Sequence, residues 1–98
     1  MVRLLVLYNP PEDAVAFDKY YNESHIPLAK QLPGLVRYTI SRNLAANAQY
    51  YLIAELDWAD MASAQAALRS PVGAACAADV AKFATTGAPS LLFEVAEV

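Results

Sequence analysis

Apolar and polar residues alternate along four segments of the chain and recur every three or four positions along three others. Alternation is typical of a half-buried strand, whereas three-to-four spacing indicates an amphipathic helix. In the first helical segment this spacing is carried by Ala14, Phe17, Tyr21, Ser24 and Leu28. The pattern predicts strands over residues 2–8, 35–42, 50–57 and 91–97, and helices over residues 13–32, 61–69 and 70–83.

Local signals define the ends of the helices. Asp60 is the predicted N-cap of the second helix, and Ser70 caps the third, with Pro71 at its first position. Pro27 has no N–H, so it is predicted to interrupt the first helix, which ends before Pro33. The predicted helices over residues 61–69 and 70–83 adjoin each other and are counted as one helical unit. The order of elements is therefore βαββαβ. It predicts a single α+β domain over residues 1–98, with a ferredoxin-like four-stranded antiparallel sheet and the helices on one face.

Strand alternation separates an apolar face from a mixed one. The face expected to meet the helices carries Val2, Leu4, Val6, Tyr8, Val36, Tyr38, Ile40, Leu52, Ala54, Leu56, Leu91, Phe93 and Val95. The opposite face mixes aliphatic and charged residues: Arg3, Leu5, Leu7, Leu35, Arg37, Thr39, Tyr51, Ile53, Glu55, Leu92 and Glu94. So many aliphatic residues favour burial against a second subunit, which predicts a homodimer. The alternative is an exposed face with ordinary cross-strand ion pairs.

Composition narrows the class of protein. With 57% hydrophobic and 17% charged residues the chain is not disordered, and for 98 residues the apolar excess favours an oligomer. A net charge of −3, with seven scattered Lys and Arg, speaks against nucleic acid as a partner. No apolar run reaches the ~20 residues of a membrane span, and the N-terminus lacks a signal cleavage site. These features predict a cytoplasmic protein, in which the lone Cys76 is a small buried helix residue.

His25 is the main chemical candidate. It is the only histidine and stands two residues before Pro27, late in the first helix. Imidazole accepts and donates protons near neutral pH, so His25 is the predicted catalytic acid or base. Tyr21 lies one turn earlier, within reach of the ring. The alternative is a structural histidine that binds carbonyl groups freed at the kink.

Aromatic and strand-end residues supply candidate substrate contacts. Tyr51 on the mixed face and Tyr8 at the end of its strand are predicted to line a pocket with Tyr21. Asn9 and Trp58 each end a strand that leads into a helix, where binding sites often lie. For these residues the alternatives are core packing and turn chemistry.

Two charges of the mixed face are further candidates. Arg37 and Glu55 are predicted substrate contacts, and structural ion pairing at a dimer seam is the alternative. One histidine without a close acidic partner in sequence gives no metal-ligand spacing, so no metal is expected.

Several segments resemble the EthD family, and they keep its order along nearly the whole chain: residues 17–21, 25–29, 32–38, 70–73 and 78–80, followed by Phe83. The resemblance implies a dimeric α+β barrel, in which two ferredoxin-like subunits join their sheets. It also implies a link to ethyl tert-butyl ether degradation. The wider group includes cofactor-free monooxygenases, isomerases, cyclases, dehydratases and haem-degrading enzymes. Haem-degrading relatives carry their histidine on the second helix, which has none here, so no cofactor is expected.

These features together predict a cofactor-free enzyme. It would perform proton transfer, as in isomerisation, dehydration or oxygenation, on a small hydrophobic or aromatic substrate. The alternatives are a non-catalytic carrier of a hydrophobic intermediate and an accessory protein of an oxidative degradation pathway.

Overall fold

The fold is a four-stranded antiparallel sheet with its helices packed on one face. The computed structural model describes residues 1–98. Side by side in the sheet, the strands lie in the order Arg37–Ser41, Leu52–Trp58, Val2–Tyr8 and Ser90–Glu94, as the ferredoxin-like prediction requires. Along the chain the elements are β1 Val2–Tyr8, α1 Ala14–Tyr20, a π-helical turn Tyr21–His25, α2 Ile26–Ala29, β2 Arg37–Ser41, β3 Leu52–Trp58, α3 Met61–Arg69, α4 Pro71–Phe83 and β4 Ser90–Glu94.

The interruption predicted near Pro27 is confirmed, and it takes the form of a π-helical turn. The Ile26 N–H donates to the Tyr21 carbonyl, five residues back instead of four. Pro27 follows at the start of α2. Because proline brings no N–H, the wider turn comes where the regular ladder is about to lose a donor. The turn thus holds one extra residue inside an otherwise continuous helical segment.

The later helices begin at the predicted caps. The Asp60 carboxylate accepts the Ser63 N–H at 2.8 Å, and the Ser70 hydroxyl accepts the Gly73 N–H at 3.1 Å. A side chain at Gly73 would collide with the carbonyl oxygens of Ala67 and Leu68. Glycine therefore allows α4 to turn tightly away from the end of α3.

The predicted face of the last strand is wrong. Leu92 pairs with Leu4 and faces the helices. Leu91 and Phe93 pair with Leu5 and Arg3 on the opposite face of the sheet, which no helix covers and which is called the open face below. Three consecutive large apolar residues satisfy either phase of a two-residue repeat, and a shift by one residue exchanges the faces. The register with β1 decides the phase.

A smaller correction concerns the entry to β2. Val36 precedes the strand and is 63% exposed, although the alternation predicted that it would face the helices. Leu35 packs against the core instead. The regular two-residue pattern starts only at Arg37, where β2 begins.

An aromatic cluster between α1, α4 and the sheet forms one end of the core. Phe17 packs against Tyr8, Tyr21 and Phe83 with ring centroids 5.5–5.9 Å apart. Edge-to-face and offset aromatic pairs at these distances are favourable. The cluster leaves the adjoining space towards α2 and α3 to smaller side chains.

Candidate active site

A cavity of about 310 Å³ lies between the sheet and the helices. The strands contribute Leu4, Val6, Ala54 and Leu56 to its wall, and the rest is mostly aliphatic residues from the helical layer. Its polar lining residues are Tyr8, Tyr21, His25, Tyr38, Cys76 and Ser90. No Lys, Arg, Asp or Glu lines it.

His25 lines this cavity and is held from its far side by a carboxylate. The imidazole is 4% exposed, and its Nδ1 lies 2.8 Å from Oδ2 of Asp79 on α4. The ring also packs against Phe83, with centroids 4.8 Å apart, and against Tyr21 at 5.4 Å. These contacts fix both the position and the tilt of the imidazole.

The pair assigns the imidazole tautomer. Burial acts to raise the pKa of Asp79, but the hydrogen bonds from Tyr20 and His25 outweigh it and hold the pKa below its usual value. An ionised carboxylate only accepts, so Nδ1 carries the proton. Nε2 makes no hydrogen bond within the chain, yet no fully buried side-chain nitrogen or oxygen lacks a partner. Nε2 is therefore not fully enclosed, and it is the free nitrogen of a side chain that lines the cavity.

Asp79 contacts His25 in the structure, but the sequence pattern did not identify it as a candidate site residue. Its Oδ1 accepts the Tyr20 hydroxyl at 2.5 Å while Oδ2 faces His25. The usable signal is that Asp79 is the only acidic residue in α4, whose other residues are mostly small and apolar. An isolated carboxylate on an apolar helix face needs a partner.

Three phenols supply hydrogen-bond donors to the same cavity. The hydroxyls of Tyr21 and Tyr38 lie 2.6 Å apart. The Tyr8 hydroxyl lies near them but makes no hydrogen bond of normal geometry, so it is reachable from the cavity. Burial raises the pKa of Tyr8, Tyr21 and Tyr38. All three therefore stay protonated at neutral pH.

Cys76 lies on a helix as predicted and lines the cavity, but it is half-buried where a buried position was predicted. Burial, followed by the nearby charge of Asp79, raises the pKa of its thiol. The thiol is accordingly not activated as a nucleophile.

Asn9 and Trp58 lie outside the cavity lining. The Asn9 amide donates to the Thr86 carbonyl at 2.9 Å, and it ties the loop after β1 to the turn before β4. Gly87 in that turn has a φ of +102°, and a Cβ there would lie 3.0 Å from the Asn9 amide nitrogen. Trp58 is fully buried and donates from Nε1 to the Pro33 carbonyl at 3.0 Å. Both residues hold loops in place in this structure.

Tyr51 is not on the mixed face of the sheet, contrary to the prediction. It precedes β3, packs its ring edge-on against Phe17, and donates its hydroxyl to both oxygens of Asp18 at 2.9 Å. The strand alternation does not apply there, because the regular ladder starts at Leu52. Tyr51 therefore braces α1 and does not line the cavity.

Arg37 and Glu55 lie on the open face of the sheet, whereas His25 lies in the helical layer on the other side. Arg37 is exposed. Glu55 lies 3.8 Å from Arg3, which makes a closer two-pronged contact with buried Asp57 at 2.9 and 3.2 Å. The structure thus places neither residue at the cavity, and Asp57 is an ion-pair partner that the face pattern did not single out.

The structure has neither a cluster of metal-binding side chains nor a helix able to span a membrane. No three His, Cys, Asp or Glu side chains come together as a metal site would need. None of the helices has the length and apolar character to cross a bilayer.

Similarity to known proteins agrees with this architecture. An EthD domain model matches residues 9–87. An uncharacterised 11.0 kDa protein from the thcB–thcC intergenic region of Rhodococcus erythropolis is 38% identical over 94 residues, covering 93% of this chain and 91% of that protein. The crystal structure of an EthD family protein from Bacillus halodurans has a TM-score of 0.92 at 34% identity, covering 98% of this chain and 99% of that one.

A more distant structure shares the fold. SnoaB, a cofactor-independent oxygenase from Streptomyces nogalater, has a TM-score of 0.69 at 17% identity, covering 99% of this chain and 94% of that chain. The matched domain takes in both His25 and Asp79 and most of the chain. By its domain match and by its 34% identity to the Bacillus halodurans EthD family protein, the chain belongs to the EthD family.

Proposed function

We propose that this protein is a cofactor-free enzyme that transfers a proton on a small uncharged substrate, with His25 as the base. One observation carries the proposal: His25 lines an apolar cavity, its Nδ1 is bound to Asp79, and its Nε2 has no hydrogen-bond partner within the chain. The half-buried Asp79 carboxylate orients the ring and stabilises the imidazolium that forms when Nε2 takes a proton.

The cavity indicates the class of substrate. Its volume of about 310 Å³ is at the small end of ligand pockets, which span about 300–1,000 Å³. No Lys or Arg lines it, so an anionic group would be buried there without a partner. An uncharged ketone or phenol of one or two rings fits both its size and its polarity.

The reaction follows from the donors and the acceptor. Nε2 removes a proton from a carbon next to a carbonyl, and the electron pair moves onto the carbonyl oxygen. A hydrogen bond from the Tyr8 hydroxyl would stabilise that enolate oxygen. Return of the proton to another carbon completes an isomerisation. In a dehydration, the β-hydroxyl takes the proton back from Nε2 and leaves as water. With dioxygen as co-reactant, the same carbanion begins an oxygenation, the type of reaction named for SnoaB.

A carrier function is the second candidate, because most of the lining is apolar. A carrier needs the same cavity but no proton transfer. An accessory function in ether or other oxidative degradation and a cytoplasmic location remain predictions.

We also propose a homodimer joined through the open face of the sheet. Leu91 is 56% exposed and Phe93 37% exposed on that face, next to Leu5 and Arg3 in the ladder. Covering these side chains would remove apolar surface from water. A monomer in light scattering at micromolar concentration would contradict this part of the proposal.

Hydrogen–deuterium exchange tests the enzyme against the carrier. Uncharged ketones and phenols are first screened by thermal shift. Ketones that bind are then incubated in D₂O, and NMR follows exchange at the carbon next to the carbonyl. His25→Asn is the informative variant, since its amide N–H replaces the donor to Asp79 while the base is lost.

The two functions predict different results. For an enzyme, His25→Asn keeps binding but slows exchange by about 10²–10⁴-fold, the usual contribution of a general base. Tyr50→Phe, at a half-buried position outside the cavity, should leave both unchanged. Binding without catalysed exchange in the unaltered protein would reject the enzyme and favour the carrier.

A further inference from the structure

We propose that Tyr20 is a positioning residue for His25, acting through Asp79. The inference rests on the proposed function only in its expectation for activity. The Tyr20 hydroxyl holds the Asp79 carboxylate, and this carboxylate sets the tautomer and basicity of His25. Tyr20 lies outside the cavity lining, and sequence reasoning gave it no site role.

The geometry divides the two carboxylate oxygens of Asp79 between two partners. Tyr20 donates to Oδ1 at 2.5 Å, and Nδ1 of His25 meets Oδ2 at 2.8 Å. The Tyr20 ring packs against Phe83 with centroids 5.3 Å apart, and Phe83 also contacts the imidazole. With both oxygens engaged, the carboxylate has one orientation relative to His25.

The π-helical turn explains how both residues reach one carboxylate. Tyr20 and His25 are five positions apart, and in a regular α-helix such residues point about 140° away from each other. Hydrogen bonds to the fifth residue back, as at Ile26 and Tyr21, widen the turn and bring residues five apart onto one side. π-turns cost regularity and concentrate at functional sites. Here the extra residue serves the Tyr20–Asp79–His25 arrangement.

Several groups set the electrostatics around the imidazole. Asp79 is the one carboxylate in contact with it, and the hydrogen bond to this carboxylate is the main cause that raises the pKa of Tyr20. Tyr20 therefore stays protonated and remains a donor. The other titratable groups are Tyr21 beside the ring, Tyr8, Tyr38 and Cys76 across the cavity, and Lys82, whose Nζ lies 5.6 Å from the Tyr20 ring centroid.

The sign of the effect follows from charge compensation. The Tyr20 hydroxyl offsets part of the negative charge of Asp79. Without it the carboxylate interacts more strongly with a protonated His25, so Tyr20→Phe should raise the pKa of His25.

NMR titration tests this without any substrate. The chain has one histidine, so its imidazole signals are unambiguous, and ¹⁵N shifts report which nitrogen carries the proton. Tyr51→Phe is the matched control, because it removes a phenol–carboxylate hydrogen bond to Asp18 that is not connected to His25. We expect Tyr20→Phe to raise the pKa of His25, with Nδ1 still the protonated nitrogen of the neutral ring, and Tyr51→Phe to change neither.

An unchanged or lowered pKa of His25 in Tyr20→Phe would overturn the proposal, as would an equal shift in Tyr51→Phe. If exchange is catalysed, the acid limb of its pH–rate profile should move to higher pH with the NMR value. If no substrate is turned over, the titration still decides the positioning of His25, so failure of the proposed function is told apart from failure of this inference.

Discussion

Both faces of the sheet carry apolar side chains, but the polar groups are neutral on the helix side and charged on the open face. On the helix side, the cavity is lined by neutral phenols and an imidazole with one open nitrogen. On the open face, Arg3 is paired with Asp57 and lies near Glu55. Neutral donors and one open acceptor suit a small ligand, whereas paired ions amid exposed leucine and phenylalanine suit a protein surface. The difference supports the two proposals, chemistry on the helix side and assembly through the open face.

Two leucines provide the largest test of this contrast. Leu52 is fully buried on the helix side, while Leu91 on the open face is 56% exposed. Leu52→Ala should lower the free energy of unfolding by about 2–5 kcal/mol, since it leaves a cavity in a packed core. Leu91→Ala should change the stability of the monomer by less than about 0.5 kcal/mol. Urea unfolding at low protein concentration measures both.

The same two variants also test the proposed dimer interface. Leu91→Ala should weaken dimer association by roughly 1–2 kcal/mol, because it removes apolar area from the contact. Sedimentation or light scattering over a dilution series follows this. Unchanged association would place Leu91 outside the interface, and a Leu52→Ala cost no larger than that of Leu91→Ala would break the contrast itself.

Tyr8→Phe is the next test, and it concerns only the helix side. Its hydroxyl makes no hydrogen bond of normal geometry, unlike the paired hydroxyls of Tyr21 and Tyr38, and it is the proposed donor to an enolate oxygen. Removal of one such donor typically costs about 10²–10³-fold in kcat, with little change in binding. Exchange rates for Tyr8→Phe and for the control Tyr50→Phe make the comparison. Equal rates in both would assign the enolate contact to another group.

Sequence predicted the layers well because local signals determine them. The bounds of β1 and the caps Asp60 and Ser70 agree with the structure. Errors arise where two phases of a repeat are equally apolar, as in β4, or where a residue lies just outside a strand, as for Tyr51. The partnership of His25 with Asp79 spans 54 positions, and only the packing of α4 on the first helical segment reveals it. Local patterns therefore predict elements better than contacts between them.

Acidification gives the smallest effect and tests whether the helix side depends on a charged carboxylate. The pKa of Asp79 is lowered in the folded protein, so its ionised form adds stability above the unfolded pKa, about 3.9. That contribution is lost as the pH falls through the lower, folded pKa. Asp79→Asn should therefore cost on the order of 1 kcal/mol at neutral pH, where the carboxylate's hydrogen bonds are lost.

The acid limb of the stability curve should also become less steep in Asp79→Asn. Part of the limb remains, because hydrogen bonds from Ser63 lower the pKa of the cap residue Asp60 as well. Thermal unfolding of both proteins between about pH 2 and pH 7 separates the two contributions. Parallel curves would mean that Asp79 titrates alike in the folded and unfolded chain, and the carboxylate could not then be the charged partner that holds His25 against the cavity.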